Sequence, residues 1–305
     1  MSRKGWLLFI SLCVIWGIPY LLIRIAVREL SPPALVLLRT MPAALLLLPL
    51  ALRRGAWRGL VHSWPWVVLY TLVELSIPWF LVSHVEQRMS SSLAGLLIAM
   101  SPLIGALLCR VTGVADPFDT RRLTGLLIGF AGVAALVGLD VAGSGLLGIV
   151  ETVTVAFCWA TGPIVVSRRL SHLPALGVIT ASLFITAALY APAGIATLPS
   201  SVSVETVLSV ATLAVVCAVA GSLIFFALIR EAGPVRTMVV TYVNPLVAVL
   251  LGVALLDEPF TLGIALGTPL IVAGSVLATL PSPRRPLPHC GTADTPITGA
   301  DRPQA

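Results

Sequence analysis

Apolar runs of 18 to 26 residues follow one another along almost the whole chain, and the loops between them are too short to hold a soluble domain. They fall at approximately 6–27, 33–52, 64–83, 91–111, 123–140, 145–167, 174–197, 204–229, 234–256 and 260–280. About 20 apolar residues in a helix cross the hydrocarbon core of a bilayer, so each run is long enough to span. The sequence therefore predicts an all-α integral membrane protein of ten transmembrane helices. Composition excludes the alternatives: 58% of the 305 residues are hydrophobic and only 10% are charged, against roughly 25% in a soluble domain. Disorder is excluded by the same hydrophobicity. Residues 281–305, with six prolines and two glycines and no apolar period, are expected to form a disordered cytoplasmic tail.

Orientation follows from the placement of Lys and Arg. With the N-terminus in the cytoplasm, 15 of the 19 cationic residues fall on inside segments and three (Arg24, Arg28, Arg88) on outside ends, while Arg39 lies within the second run. Both termini are thus expected in the cytoplasm of a cell (plasma) membrane protein. The net charge of +6 forms no basic stripe with interleaved aromatics, so no nucleic acid partner is expected. Cys13, Cys109, Cys158, Cys217 and Cys290 have no CxxC spacing, which argues against a disulfide framework or a metal site. No cofactor is expected. The retained length of Trp6 to Ala26 argues for a first helix rather than a cleaved leader.

The chain resembles itself at an offset of about 142 residues. Ile15-Trp16-Gly17 recurs as Cys158-Trp159-Ala160, Pro33-Ala34-Leu35 as Pro174-Ala175-Leu176, and Ser101-Pro102-Leu103 as Asn244-Pro245-Leu246. Asp116-Pro117-Phe118 recurs as Glu258-Pro259-Phe260, and Ala131-Gly132 as Ala273-Gly274. Two units follow, residues 1–142 and 143–280, each of five helices. Because five is odd, the second enters the membrane from the opposite side, giving inverted-topology repeats, which transporters use for alternating access around a midplane site.

Two five-helix halves, Trp-Gly in the first helix, Arg39 in the second, and Pro-Leu followed by Glu-Pro-Phe-Thr before a Gly-rich closing helix resemble the drug/metabolite transporter superfamily, and within it the EamA family of ten-helix permeases. The resemblance covers roughly residues 6 to 280. It implies export of amino acids or other small metabolites, with helices one, three, four, six, eight and nine around a central cavity. The family pattern specifies neither Glu74 nor Glu151.

Ionisable groups deep in a membrane helix are costly, about 2.5–3.5 kcal/mol on insertion scales, and so point to function. Glu74, near the centre of its run, reads either as a cavity carboxylate that takes up a proton or a cation, or as a structural partner of Arg39. Glu151 heads a stripe of small and polar residues through Thr154, Cys158, Thr161 and Gly162, suited to a water-filled path or to close packing. Arg39 has a third option, snorkelling to the headgroups. Asn244 could offer its amide to a substrate or bond a neighbouring helix. Thr241 shares a stripe of the ninth run with Thr237, Asn244, Ala248 and Gly252, Ser101 shares one of the fourth with Ser90, Ala94 and Gly105, and Trp16, Tyr20 and Trp159 are candidate aromatic walls. Pro19, Pro102, Pro163 and Pro245 each free a helix carbonyl and are candidate hinges. Gly125-x-x-x-Gly129 and Gly263-x-x-x-Gly267 read as close-packing faces. No HExxH, G-x-S-x-G or P-loop is present and no catalytic cluster is visible, so the chain is not read as an enzyme. The competing class is a non-transporting membrane scaffold or accessory protein. Partners expected are a small-molecule substrate, the bilayer and, for coupling, protons.

Overall fold

The computed structural model describes residues 2–111, 120–140, 145–232 and 240–279. The tail beyond, with Cys290, and the Asp116-Pro117-Phe118 motif lie outside the described residues, as does the side chain of Pro102. Among the described residues there are helices and no strands. In chain order they are α1 (Arg3–Gly17), α2 (Pro19–Ala26), α3 (Pro32–Arg53), α4 (Trp64–Thr71), α5 (Ile77–Val85), α6 (Ser91–Ile98), α7 (Ser101–Val111), α8 (Thr120–Asp140), α9 (Gly145–Val165), α10 (Ala175–Ala196), α11 (Val204–Thr212), α12 (Gly221–Ala232), α13 (Val240–Leu255) and α14 (Leu262–Thr279). Three π-helical stretches, Leu72–Ser76, Val166–Leu170 and Leu213–Ala220, join α4 to α5, extend α9, and join α11 to α12.

Among the described residues, six stretches are long and apolar enough to cross a membrane: Arg3–Ala26, Pro32–Arg53, Trp64–Val85, Leu146–Leu170, Ala175–Ala196 and Val204–Ala232. Shorter apolar helices occupy Ser91–Gly105, Leu123–Ala135, Val243–Leu255 and Leu262–Leu277. Starts are set by local chemistry. Ser2, Ser31, Ser90 and Ser203 each accept a hydrogen bond from the amide three residues on, satisfying a donor that the first helical turn leaves free. Pro32 and Pro19 sit in first turns, where a missing N–H costs nothing.

The most extensive interfaces pair α14 with α8 and α10 with α3, while α13 packs on α6 and α1, α12 on α1, and α9 on α5 and α7. Small residues let these backbones approach. A Cβ on Gly274 would collide with the backbone of Gly129 and the Gly125 carbonyl, so the expected glycine face of α8 does pack closely, against α14. Large side chains such as Leu7, Leu45, Leu146, Leu208 and Leu250 point outward. An apolar exterior is the surface a bilayer solvates.

The helix breaks differ from the proline pattern. α1 ends at Gly17 just before Pro19, and α6 gives way to α7 just before Pro102, but α9 and α13 run on through Pro163 and Pro245. Proline removes one amide but leaves the helix intact when neighbours take up the strain. The π stretches carry no single-residue signature and were not anticipated.

Candidate functional site

Glu74 lies in the π stretch Leu72–Ser76, inside the span Trp64–Val85. A π turn widens the helix by one residue and leaves carbonyls poorly matched to amides, and Pro78 has no N–H to give the Glu74 carbonyl four residues earlier. In lipid such carbonyls need protein donors. Trp159 Nε1 donates to the Glu74 carbonyl at 2.9 Å, and the Tyr190 hydroxyl donates to the Ser76 carbonyl at 3.0 Å. On the α10 side the stretch is clamped by Thr71 Oγ1 to Ser182 Oγ and by the Ser76–Thr186 hydroxyl pair, both 2.8 Å. The distorted segment is therefore held from two helices.

Its side chain is treated differently from its backbone. Glu74 Oε2 is buried without a hydrogen-bond partner. It rests against α9 at Gly162, where an added Cβ would overlap the carboxylate, so only glycine leaves room for it. A carboxyl group with a fixed backbone, a glycine-shaped seat and an open bonding capacity can bind a proton or a cationic group. The alternative, an ion pair with Arg39, is not formed among the described residues. Arg39 is buried with 4% exposure, its guanidinium carbon 3.8 Å from the centroid of the Trp79 ring, and its Nε has no partner. Arg39 thus neither pairs with Glu74 nor snorkels, because cation–π stacking on Trp79 holds it inside the bundle.

Other sequence-picked residues are spread over the same bundle. Trp16 packs on Phe225 with ring centroids 5.1 Å apart, and a Cβ on Gly221 would come within 2.7 Å of Trp16 Nε1. Tyr20 is buried in the cluster with Ile23, Leu35 and Ala248, and Trp159 packs at its edge. Asn244 Oδ1 is buried without a partner, and Gly17 of α1 presses on α13 at Asn244 and Val247. Ser101 Oγ donates to the Ile98 carbonyl at 2.6 Å, the acceptor that Pro102 cannot serve, so that break is repaired by its own serine. Thr241 is exposed. Pro19 and Pro163 are half-buried and exposed respectively, and Pro245 is buried.

Glu151 is buried, and it is bonded rather than simply hydrated: His84 Nδ1 lies 2.7 Å from Oε1, and Arg88 donates to Oε2 at 3.0 Å. In the sequence Arg88 reads only as an outside-end cation and His84 is not singled out; the i, i+4 spacing of the two on one helix face is the signal that joins them. Two further carboxylates at this end were missed. Glu258 accepts from the backbone N–H of Ser91 at 2.7 Å and of Ser92 at 3.0 Å, and from both serine hydroxyls, capping α6 from the loop between α13 and α14. Glu86 is fully buried, with both carboxylate oxygens unpartnered, while Arg24 donates to its backbone carbonyl. The loops here are also tied, Ser31 to Thr197 and Glu29 to the Ser203 amide. That amide, the main cause, and the Thr206 hydroxyl hold the Glu29 carboxyl below its usual range.

A helical bundle with an apolar exterior and with Arg39, Glu86 and Glu151 buried inside it is the architecture of a multi-pass membrane protein. The sequence profile of the EamA-like transporter family matches residues 3–138 and again 146–280, and the chain belongs to that family. It is 30% identical over 285 residues to the uncharacterized inner membrane transporter YedA of Escherichia coli, covering 88% of this chain and 89% of that one. It is 24% identical to a probable amino-acid metabolite efflux pump of the same organism, over 90% of this chain and 94% of that one. A crystal structure with 22% identity superposes with a TM-score of 0.65 over 92% of this chain and 98% of the other, a likeness of fold. The protein is a multi-pass transporter of the cell membrane with a small-molecule substrate, and not an enzyme.

Proposed function

We propose that this protein exports amino acids or related small metabolites by alternating access, with Glu74 as the carboxylate that couples export to proton entry. The observation that carries the reading is the partly buried Glu74 side chain, whose Oε2 is buried without a hydrogen-bond partner on a π segment that two other helices hold in place. Ten spans form two inverted five-helix units, residues 1–142 and 143–280, with both termini and the tail 281–305 in the cytoplasm. In support, the family profile matches twice, once in each unit. The π stretches Leu72–Ser76 and Leu213–Ala220 are separated by the interval of the sequence repeat. The interfaces α3–α10 and α8–α14 join elements separated by that same interval, as a two-fold axis requires. Trp16 against α12 mirrors Trp159 against the α4–α5 segment.

In this reading Trp16, Tyr20, Trp159, Ser101, Thr241 and Asn244 line or border the pathway, Glu151 ties it at the outer end, and Pro19, Pro102, Pro163 and Pro245 mark where helices flex. Arg39 sets the local field from its seat on Trp79. The name of the efflux-pump relative supports the substrate class. Metabolite profiling of cells with and without the protein, inside and out, tests it: amino acids or their derivatives should be depleted inside and enriched outside. No difference, with folded protein in the membrane, supports the scaffold alternative instead.

A further inference from the structure

A cleft of about 550 Å³ lies between α3, α10 and α12, apart from Glu74 and its neighbours. Its walls are apolar, built from Leu50 of α3, Leu176 of α10, and Leu223 and Phe226 of α12. Its rim carries two exposed guanidinium groups, Arg54 at the end of α3 and Arg230 in the last turn of α12. Neither has an acidic partner among the described residues, where the ion pairs involve only Glu151. Pro174, the N-cap of α10, and Ala175, its first residue, complete the rim, and no side chain caps that helix.

Charge and shape together select the occupant. Two guanidiniums on different helices can share one phosphate through charge-assisted bonds, and the start of a helix adds a favourable field. The apolar walls directly beneath want hydrocarbon. A free phosphate would leave those walls uncovered. We propose that this cleft seats an anionic phospholipid of the cytoplasmic leaflet, its phosphate between Arg54 and Arg230 and an acyl chain along Leu223, Phe226 and Leu50. Basic pockets between membrane helices on the cytoplasmic side recognise such headgroups. The leaflet assignment rests on the orientation proposed above; the headgroup chemistry does not.

Native mass spectrometry of the purified full chain, titrated with phosphatidylglycerol or phosphatidylcholine, tests the site. The wild type should hold phosphatidylglycerol at roughly tenfold lower concentration than phosphatidylcholine. The double variant Arg54→Gln/Arg230→Gln should lose that preference, and Arg53→Gln/Arg58→Gln, which changes the same net charge nearby, should keep it. Equal binding of the two lipids by the wild type overturns the proposal without recourse to any variant. So does a preference that survives the Arg54/Arg230 change, or an adduct that millimolar inorganic phosphate displaces. A preference that stands while a membrane-impermeant thiol reagent labels Cys290 of the tail in intact cells would move the lipid to the other leaflet, sinking the orientation and not the site.

Discussion

Removing the Glu258 carboxylate should loosen the start of α6 more than any surface change could. Its two oxygens accept four hydrogen bonds, two from backbone amides and two from hydroxyls of Ser91 and Ser92, which are themselves fully buried. A hydrogen bond to a charged group is worth about 1.5–3 kcal/mol, and losing a helix cap costs about 0.5–2 kcal/mol. The bonds share one carboxylate and are not additive, so Glu258→Ala should destabilise by about 3 kcal/mol, with water recovering part of the loss. At roughly 2–4 °C per kcal/mol, the apparent unfolding temperature in detergent should fall by about 6–12 °C. Ser91→Ala/Ser92→Ala keeps the amide donors and should cost about 1–2 kcal/mol. Combining the two changes should cost less than their sum by at least about 0.5 kcal/mol, the signature of a shared contact. Thermal unfolding followed by tryptophan fluorescence, with Glu205→Ala as an exposed control, reads all four. A Glu258→Ala variant no less stable than that control, or strict additivity, would refute the cap.

Three shorter expectations follow. Trp159→Phe keeps an aromatic ring, smaller than the indole, but strands the Glu74 carbonyl, and should destabilise by about 1–3 kcal/mol in the same assay; an unchanged protein would mean the π segment does not need that donor. Gly274→Leu forces a side chain into the backbone of Gly129 and should abolish the monodisperse peak on gel filtration, whereas Leu266→Ala on the exposed face of α14 should leave it. The Glu29 carboxylate, held below its usual range, should keep the Ser203 amide protected as pH falls through that range and release it only lower. Protection of that amide, measured by hydrogen exchange and corrected for the intrinsic rate, lost already in the ordinary carboxylate range would contradict the contact.

Helix positions were legible because lipid imposes one rule, uninterrupted apolar length, and the runs at 33–52 and 174–197 reappear as α3 and α10 within two residues of their expected ends. The costly charges were legible too, since Glu74, Glu151 and Arg39 stand out against leucine. Their partners were not. Arg39 and Glu74 lie on adjacent helices in sequence, which made an ion pair natural, but pairing depends on helix rotation and the structure turns Arg39 onto Trp79. Glu258 and Ser91 are separated by 166 intervening residues, so nothing local joins the loop motif to the helix it caps. The π stretches escaped because they arise from packing between helices, Trp159 and Tyr190 supplying the missing donors, and carry no sequence period of their own.

The central claim is that Glu74 carries the coupling proton, and transport in reconstituted liposomes tests it most directly. With an amino-acid mixture inside and a proton gradient imposed, wild-type protein should drive net export, and it should exchange substrate at equal pH. Glu74→Gln keeps the shape of the side chain and its seat at Gly162 while removing the titrating group. It should lose gradient-driven export by at least tenfold and retain most of the exchange, as expected when one carboxyl serves the proton and the substrate in turn. Gradient-driven export by folded Glu74→Gln protein at the wild-type rate would contradict the account.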